Sequence, residues 1–147
     1  MDNEHEHSII LIKNTFSDNR KFLVYDDTVW RCMFFPNCKG KNTIESIRAQ
    51  VAISFDIPFS DIKVSCIGDH TSVKYSEKDK REKEYHHTFY MVTIRKFLYY
   101  MTNDTFFHYG KSYHWKTISE LKQDKDVEKK NMDIVSYVET LIRKRVI

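Results

Sequence analysis

The stretch WRCMFFPNCKGKNTIESIRAQVAISFDI, from Trp30 to Ile57, decides how the rest of the chain is interpreted. Residues 29–35 are rich in β-branched and aromatic side chains and predict a strand, which Pro36 ends. A short polar loop around Gly40 then leads into an amphipathic helix. Many phosphate-binding domains place the groups that contact phosphate on a strand, a polar loop and a helix N-terminus in this order.

Apolar spacing defines the helix in the second half of this stretch. Thr43 can cap the helix, but Ser46 rather than Glu stands at the third helical position, so we expect at most half a capping box. The apolar stripe recurs at intervals of three and four residues, at Ile44, Ile47, Val51 and Phe55. Pro58 prevents its continuation, and the stripe predicts a helix packed on a sheet.

Length and composition indicate a single domain. The chain has 147 residues, of which 41% are hydrophobic and 14% aromatic, enough for one core. We treat residues 1–147 as one domain whose first seven residues are disordered. The formal net charge is only +3, which does not favour a nucleic-acid polymer as partner, so any anion site must be local.

The cysteines and the hydropathy pattern predict a cytoplasmic protein. Three cysteines without a CxxC pair indicate a reducing compartment; we expect Cys32 and Cys66 to be buried and Cys38 to be exposed. No apolar run approaches the roughly 20 residues that span a bilayer. The chain begins almost directly on a strand, so it could belong to a longer protein with a membrane-spanning segment and then lie at the cytoplasmic face of the inner membrane. A homo-oligomer also stays open.

The remaining pattern predicts an α+β fold with a mixed sheet between helices. Strands are expected at 8–14, 21–26, 62–67, 71–75, 85–97, 105–108 and 112–116. Thr117 or Ser119 can cap a short helix that runs through Gln123, and a second helix is expected at 132–145. The charged run 77–84 is expected to form an exposed hairpin tip. Alternation along 85–97 places His86 and Tyr90 on one face and His87 on the other.

This organisation resembles the Nudix family, whose fold sandwiches a mixed sheet between helices. The resemblance rests on FLVYDDTVWRCMFFPNCKGK before the helix, on SYHWKTISEL after the last strands, and on residues 133–146 as a closing helix. In the family, glutamates of the signature helix hold Mg²⁺ or Mn²⁺ against a diphosphate. The resemblance therefore implies a nucleotide-related domain.

The family's signature is degenerate in this chain. Its pattern is Gly, five residues, Glu, seven residues, then Arg-Glu-apolar-any-Glu-Glu-any-Gly-apolar. Aligned from the helix end, Arg-Glu falls on Ala49 and Gln50, Glu-Glu on Ile53 and Ser54, and Gly on Asp56. The loop is also about five residues short, counting from Gly40. We therefore expect no metal, no cofactor and no catalytic residue.

A narrower resemblance concerns bacterial antiviral defence. The segments KYSEKDKREKEYHHTFYMVTI and YHWKTISEL are similar to the Nudix-like domains associated with nucleotidyltransferase antiphage systems of the CBASS type. In those systems a synthase makes a cyclic oligonucleotide and an effector senses it. The resemblance implies a sensor that has kept a nucleotide-binding groove.

The candidate ligand-binding residues combine cations with aromatic rings. They are Lys39 and Lys41 beside Gly40, His70, Lys74 and Tyr75 before the charged run, His86, His87 and Tyr90 after it, and Trp115. Each has a plainer interpretation: solvated loop lysines, sheet-surface residues, a buried tyrosine and a core tryptophan. A zinc site at His86 and His87 is disfavoured because adjacent strand residues face opposite sides.

The sequence thus favours a catalytically silent Nudix-like domain that senses a cyclic oligonucleotide second messenger. The first alternative is a divergent Mg²⁺-dependent hydrolase of nucleoside diphosphate-linked compounds, which would need carboxylates from elsewhere, such as Asp26, Asp27, Glu45 or Asp56. The second alternative is a protein-interaction module that binds no nucleotide.

Overall fold

The computed structural model describes residues 5–17, 20–76 and 80–147, without the side chains of residues 74–76. The strands are β1 (Glu6–Ile12), β2 (Lys21–Asp27), β3 (Cys32–Phe34), β4 (Asn37–Lys39), β5 (Ile62–Ser76), β6 (Arg81–Ile94), β7 (Thr105–His108) and β8 (Lys111–Thr117). The helices are α1 (Ile44–Phe55), α2 (Ile118–Gln123), α3 (Lys125–Lys130) and α4 (Met132–Arg143). Short 3₁₀ turns lie at Phe59–Asp61 and Tyr99–Thr102.

The strands form two four-stranded sheets. Sheet A has the order β4-β1-β6-β5 and is mixed, because β1 runs parallel to β6 whereas its other pairs are antiparallel. Sheet B has the order β3-β2-β8-β7 and is antiparallel throughout. A bridge between Lys13 and Phe22 places the two sheets side by side.

Two apolar cores lie on opposite faces of these sheets. The first packs α1 against both sheets, for example through Val51, Ile10 and Trp115. The second packs α2, α3 and α4 against the opposite faces, where Leu11 and Phe22 lie. Helices therefore flank the sheets on both sides, which confirms the α+β sandwich predicted from the sequence.

The start of α1 is capped more completely than the sequence analysis expects. Thr43 is the N-cap, and its side chain accepts a hydrogen bond from the Ser46 amide at 3.0 Å. In return the Ser46 hydroxyl accepts from the Thr43 amide at 2.8 Å. Serine therefore completes the capping box in place of glutamate, and the expectation of half a box is wrong.

The predicted strand at 29–35 is wrong in its first half. The Asp27 carboxylate accepts hydrogen bonds from the amides of Val29 and Trp30, at 3.0 and 2.9 Å, and holds a turn there. Trp30 is consequently 62% exposed, and only Cys32–Phe34 is a strand. The chain then forms the short strand β4, where the sequence analysis expects a loop.

The segments predicted at 62–67 and 71–75 form one strand, β5, with a register shift between Cys66 and Gly68. Cys66 is exposed rather than buried, while Cys32 is buried as predicted and Cys38 is half-buried rather than exposed. The prediction of a hairpin tip at 77–84 falls partly on residues 77–79, which lie outside the described part of the chain. Residues 81–84 belong to β6.

The chain ends follow the predictions in part. Glu6 and His7 belong to β1, so the expectation of disorder over 1–7 fails for them, whereas residues 1–4 lie outside the described ranges. Thr117 caps α2 as predicted, and α3 was not predicted. Among the described residues, the helices are too short and too polar to cross a bilayer.

Candidate functional site

The two faces of sheet A separate the candidate residues on β6. Tyr90 belongs to the core beneath α1, whereas Phe89 belongs to the core beneath α4. Because side chains alternate along a strand, His86 shares the α1 face with Tyr90 and His87 lies on the α4 face. The predicted separation of the two histidines is confirmed, and they do not line one site.

A row of basic and titratable side chains crosses sheet A on the α4 face. Lys39 on β4 is paired with His7 on β1. His87 on β6 is paired with both His7 and His70 on β5. The rings of His7 and His87 lie 6.0 Å apart, and the His70 ring stacks on Tyr137 of α4 at 4.9 Å. The structure therefore brings three candidates together with His7, which the sequence analysis does not select.

The surroundings of His7 lower the pKa of its imidazole. Burial lowers the pKa of His7, and the charges of Lys39 and His5 lower it further. Its imidazole is therefore neutral at pH 7.

The lysines of the loop before α1 have exposed side chains, whereas the backbone amides of the capping box form hydrogen bonds within the chain. The Lys41 ammonium lies 4.0 Å from the Glu6 carboxylate, and its side chain is largely exposed. The capping box occupies the Ser46 amide, which a phosphate at this helix N-terminus would otherwise use. Phosphate binding by Lys39 and Lys41 stays a prediction.

Tyr90 and Trp115 are core residues in this structure. The Tyr90 hydroxyl donates to the Asn42 carbonyl at 2.9 Å. The Trp115 ring is only 2% exposed, and its Nε1 donates to the Met101 carbonyl at 2.7 Å. Neither ring is open to stack a base, so the plainer interpretation describes both.

The side chains of Lys74 and Tyr75 lie outside the described residues. Their backbone belongs to β5, where Lys74 pairs with Lys83 and Tyr75 with Glu82. Their role stays a prediction.

A groove lies between α1 and the β7–β8 hairpin, beside the helix residues on which the sequence analysis predicts the family's glutamate positions. We call it the α1–β8 groove. The pattern's two apolar positions, Val51 and Ile57, are buried in the core. An inner pocket of about 30 Å³ is lined by Ile10, Tyr25, Pro36, Asn37, Gln50, Val51, Ser54, Phe55, Lys111 and Tyr113. A wider outer pocket of about 490 Å³ is lined by Ile53, Ser54, Asp56, Tyr109, Lys111 and Tyr113.

Lys111 supplies the positive charge of the α1–β8 groove. Its ammonium lies 4.6 Å from the centre of the Tyr25 ring. Within the described ranges it forms no ion pair with a carboxylate. The side chains of Gln50, Ser54 and Tyr113 likewise form no hydrogen bond with another described residue. The groove thus combines one ammonium with several neutral polar groups, and the Asp56 carboxylate lies at its mouth.

The two buried phenols of this groove, those of Tyr25 and Tyr113, stay protonated far above neutral pH. Burial and the neighbouring Tyr25 raise the pKa of Tyr113 to about 12. Burial also raises the pKa of Tyr25, and outweighs the hydrogen bond from the Asn37 amide at 3.1 Å. Both rings therefore bring neutral hydroxyls to the groove.

The mouth of the groove is held by a contact between helix and hairpin. The hydroxyl of Tyr109, whose side chain is 70% exposed, donates to the Asp56 carboxylate at 2.6 Å. Both residues have left-handed backbones, with φ of 47° for Tyr109 and 58° for Asp56, and Gly110 follows at 79°. A left-handed tyrosine costs roughly 1–2 kcal/mol, which the surrounding structure must offset.

The side chains of the α1–β8 groove do not fit the divalent cation that the fold family implies. Mg²⁺ and Mn²⁺ prefer carboxylate oxygens, whereas the positions that the sequence analysis predicts for the helix glutamates carry Gln50, Ile53 and Ser54. The Lys111 ammonium beside them would repel a second cation. Across 5–17, 20–76 and 80–147, no group of three or more His, Cys, Asp or Glu side chains is arranged to hold a metal.

A second, acidic groove of about 620 Å³ lies at the opposite end of β8. It is lined by Asp26, Asp27, Thr28, Arg31, Cys32, Met33, His114, Lys116, Asp124 and Asp126. Three of its four carboxylates have structural partners: Asp26 lies 2.7 Å from His114, Asp27 holds the turn at Val29, and Asp124 caps α3.

The sequence analysis misses the principal residues of the α1–β8 groove. Lys111, Tyr113 and Trp115 alternate along β8 on one face, so the period of two groups them in the sequence. Their proximity to Gln50 and Ser54 depends on how the hairpin packs on α1, which no local pattern encodes.

Comparison with solved structures identifies the fold. The Ap4A hydrolase of C. elegans superimposes with a TM-score of 0.55 and 8% sequence identity, over 92% of this chain and 97% of that protein. A protein of Listeria monocytogenes assigned to the NUDIX hydrolases gives a TM-score of 0.55 and 10% identity, over 95% of both chains. No protein-family model and no curated protein matches the sequence. The chain therefore has a Nudix-like fold.

Proposed function

We propose that this chain is a catalytically silent Nudix-like domain that binds a nucleotide and serves as a sensor in bacterial antiphage signalling. One observation carries the proposal: the groove beside α1 presents Gln50, Ser54 and the Lys111 ammonium, and the alignment with the family pattern predicts two of its glutamate positions at Gln50 and Ser54. On this proposal the groove holds no metal and binds an anion through these groups.

The shape and chemistry of the groove favour a nucleotide over a free anion. The outer pocket joins a positive charge to an exposed aromatic ring, Lys111 to Tyr109. Proteins that bind nucleotides combine such cations with rings on which bases stack. The finer proposal, a cyclic oligonucleotide, rests on the resemblance of residues 74–94 and 113–121 to domains of CBASS-type systems.

Thermal denaturation with a panel of nucleotides tests this function. The panel contains cyclic di-AMP, cyclic di-GMP, cyclic tri-AMP and ADP-ribose, each with EDTA and with Mg²⁺. A ligand at a hundred times its Kd adds about 2.7 kcal/mol to the free energy of unfolding, which corresponds to roughly 5–10 °C in Tm for a domain of this size. We expect a cyclic oligonucleotide to raise Tm in EDTA; unchanged Tm with every nucleotide would refute the function.

The acidic groove supports a divergent hydrolase as the second candidate. Asp26 and Asp27 share that groove with Asp124 and Asp126, so several carboxylates lie near one another outside α1. If this groove hydrolysed nucleotides, Mg²⁺ would trigger release of AMP from ADP-ribose, and Asp26→Asn would abolish it. The silent-sensor proposal predicts no AMP release with or without Mg²⁺.

A further inference from the structure

Lys111 lies in the α1–β8 groove in a setting suited to an anion. The Tyr25 ring covers one side of its ammonium, and its residue is otherwise exposed. Since no described carboxylate neutralises it, the charge is available to a ligand on the side away from the ring. A cation over an aromatic face is held in place without losing its donors.

Neutral polar groups on two elements surround this ammonium. Gln50 and Ser54 lie on α1, Tyr113 lies two residues along β8, and all three line the inner pocket with Lys111. The raised pKa of Tyr113, about 12, keeps its hydroxyl a donor at neutral pH. These groups can donate to phosphate oxygens without bringing negative charge of their own.

Size places the anion in the outer part of the groove. The inner pocket, about 30 Å³, has room for about one water molecule. The outer pocket, about 490 Å³, shares Ser54, Lys111 and Tyr113 with it and reaches Tyr109 at the mouth. A ligand that contacts Lys111 can therefore also contact the exposed face of the Tyr109 ring.

We propose that the α1–β8 groove binds a phosphate group directly through the Lys111 ammonium, without a divalent cation, while Tyr109 stacks on the planar ring of the same ligand. The ammonium thus provides in this chain the positive charge that a bound metal would otherwise provide. This inference rests on the proposed nucleotide-binding function and names the groups that carry it.

Calorimetric titration of the wild type and three variants in EDTA tests the role of Lys111. The ligands are the members of the nucleotide panel and inorganic pyrophosphate. Lys111→Met removes the charge, Lys111→Arg keeps it, and Lys63→Met removes an exposed charge on β5, outside the groove. Because a charge-assisted hydrogen bond is lost, we expect Lys111→Met to weaken binding about tenfold or more. Lys111→Arg and Lys63→Met should change Kd less than about threefold.

Two further variants test the stacking step. Tyr109→Phe keeps the ring and loses the hydrogen bond to Asp56, whereas Tyr109→Ala loses both. We expect Tyr109→Ala to weaken nucleotide binding and to leave pyrophosphate binding unchanged, with Tyr109→Phe close to the wild type. Equal loss for nucleotide and pyrophosphate would contradict stacking.

The outcomes distinguish a failure of this inference from a failure of the proposed sensor function on which it rests. If a nucleotide binds the wild type but Lys111→Met binds it as well as Lys63→Met does, or if binding requires Mg²⁺, the inference is wrong and the sensor function survives. If no nucleotide binds the wild type, the sensor function itself is wrong. Unfolding curves of each variant without ligand show that the comparison is made between folded proteins.

Discussion

Asp56 joins two elements through one side chain. It ends α1 in a left-handed conformation, and its carboxylate accepts a hydrogen bond from the Tyr109 hydroxyl and lies 3.3 Å from His108. The family pattern has glycine here, which adopts this conformation without a steric penalty. Aspartate tolerates it better than most residues and adds the contact with the hairpin.

Two substitutions of Asp56 distinguish the cost of its left-handed backbone from the contribution of its hydrogen bond with Tyr109. Asp56→Ala loses the hydrogen bond and keeps the left-handed strain, so we expect a loss of about 1–2 kcal/mol in the free energy of unfolding. Asp56→Gly loses the same bond but relieves the strain, so it should lie within about 0.5 kcal/mol of the wild type. Urea denaturation measures both; equal losses for Ala and Gly would show that the conformation is not strained.

His7 makes stability depend on pH. Its pKa is lowered in the folded state by burial and by the charges of Lys39 and His5, so at mildly acidic pH the unfolded chain binds the proton more readily. The stability that neutral His7 contributes is complete above its ordinary pKa of about 6.5. It is lost as pH falls from there through the lower folded-state pKa.

Comparison of His7→Gln with the wild type tests this dependence. We expect the wild type to lose stability between about pH 7.5 and 5.5 and His7→Gln to lose less of it, because the contribution of His7 is then absent from the slope. Urea midpoints at both pH values provide the measurement. A slope as steep in His7→Gln as in the wild type would contradict the assignment.

At the scale of elements, the register shift in β5 shapes the contact with α4. A Cβ built on Gly68 would meet the Tyr137 hydroxyl at 2.5 Å, so α4 approaches β5 closely only because this residue has no side chain. The Tyr137 ring lies between His70 on β5 and Phe89 on β6. A bulge commonly re-aims a strand in this way.

Gly68→Ala therefore pushes the Tyr137 ring out of its place. We expect a loss of about 1–3 kcal/mol in the free energy of unfolding, as overpacking usually costs. Tyr137→Phe removes the clashing oxygen, so Gly68→Ala should cost less in that background. A double-mutant cycle by urea denaturation measures the coupling; purely additive losses would mean that the alanine is accommodated elsewhere.

Contacts that periodicity does not encode explain where the predictions from the sequence are wrong. Val29 and Trp30 favour a strand by composition, but the Asp27 carboxylate binds their amides and stabilises a turn instead. Cys66 lies in a strand-like run and is expected to be buried, but β5 is the edge strand of sheet A and Cys66 is exposed there. Side-chain capping acts over one or two residues, and the place of a strand in its sheet depends on distant segments, so periodicity resolves neither.

At the scale of the whole molecule, the hydrophobic pattern predicted the layers correctly. The stripe of α1 contributes Ile47, Val51 and Phe55 to one core, and the stripe of α4 contributes Val135 and Val138 to the other. These long periodic segments specify which faces are covered, and hence the sandwich.

The site depends on contacts between distant segments, and the sequence alone therefore located it incompletely. The candidates His70 and His87 do meet, as paired strands require. Lys111 and Tyr113 meet Gln50 and Ser54 across about sixty residues of sequence, through the packing of a hairpin on a helix. The prediction that the sheet facing α1 carries the ligand residues stays a prediction.

A ³¹P NMR titration in EDTA, followed by addition of Mg²⁺, tests the central claim most directly, because it reports binding and hydrolysis together. Samples contain the protein with cyclic tri-AMP, cyclic di-AMP or ADP-ribose. The account predicts that a cyclic-nucleotide phosphate resonance shifts or broadens in EDTA, and that every peak area stays constant for hours after Mg²⁺ is added. Resonances that never change on addition of protein, or new monophosphate peaks that grow once Mg²⁺ is present, would contradict it.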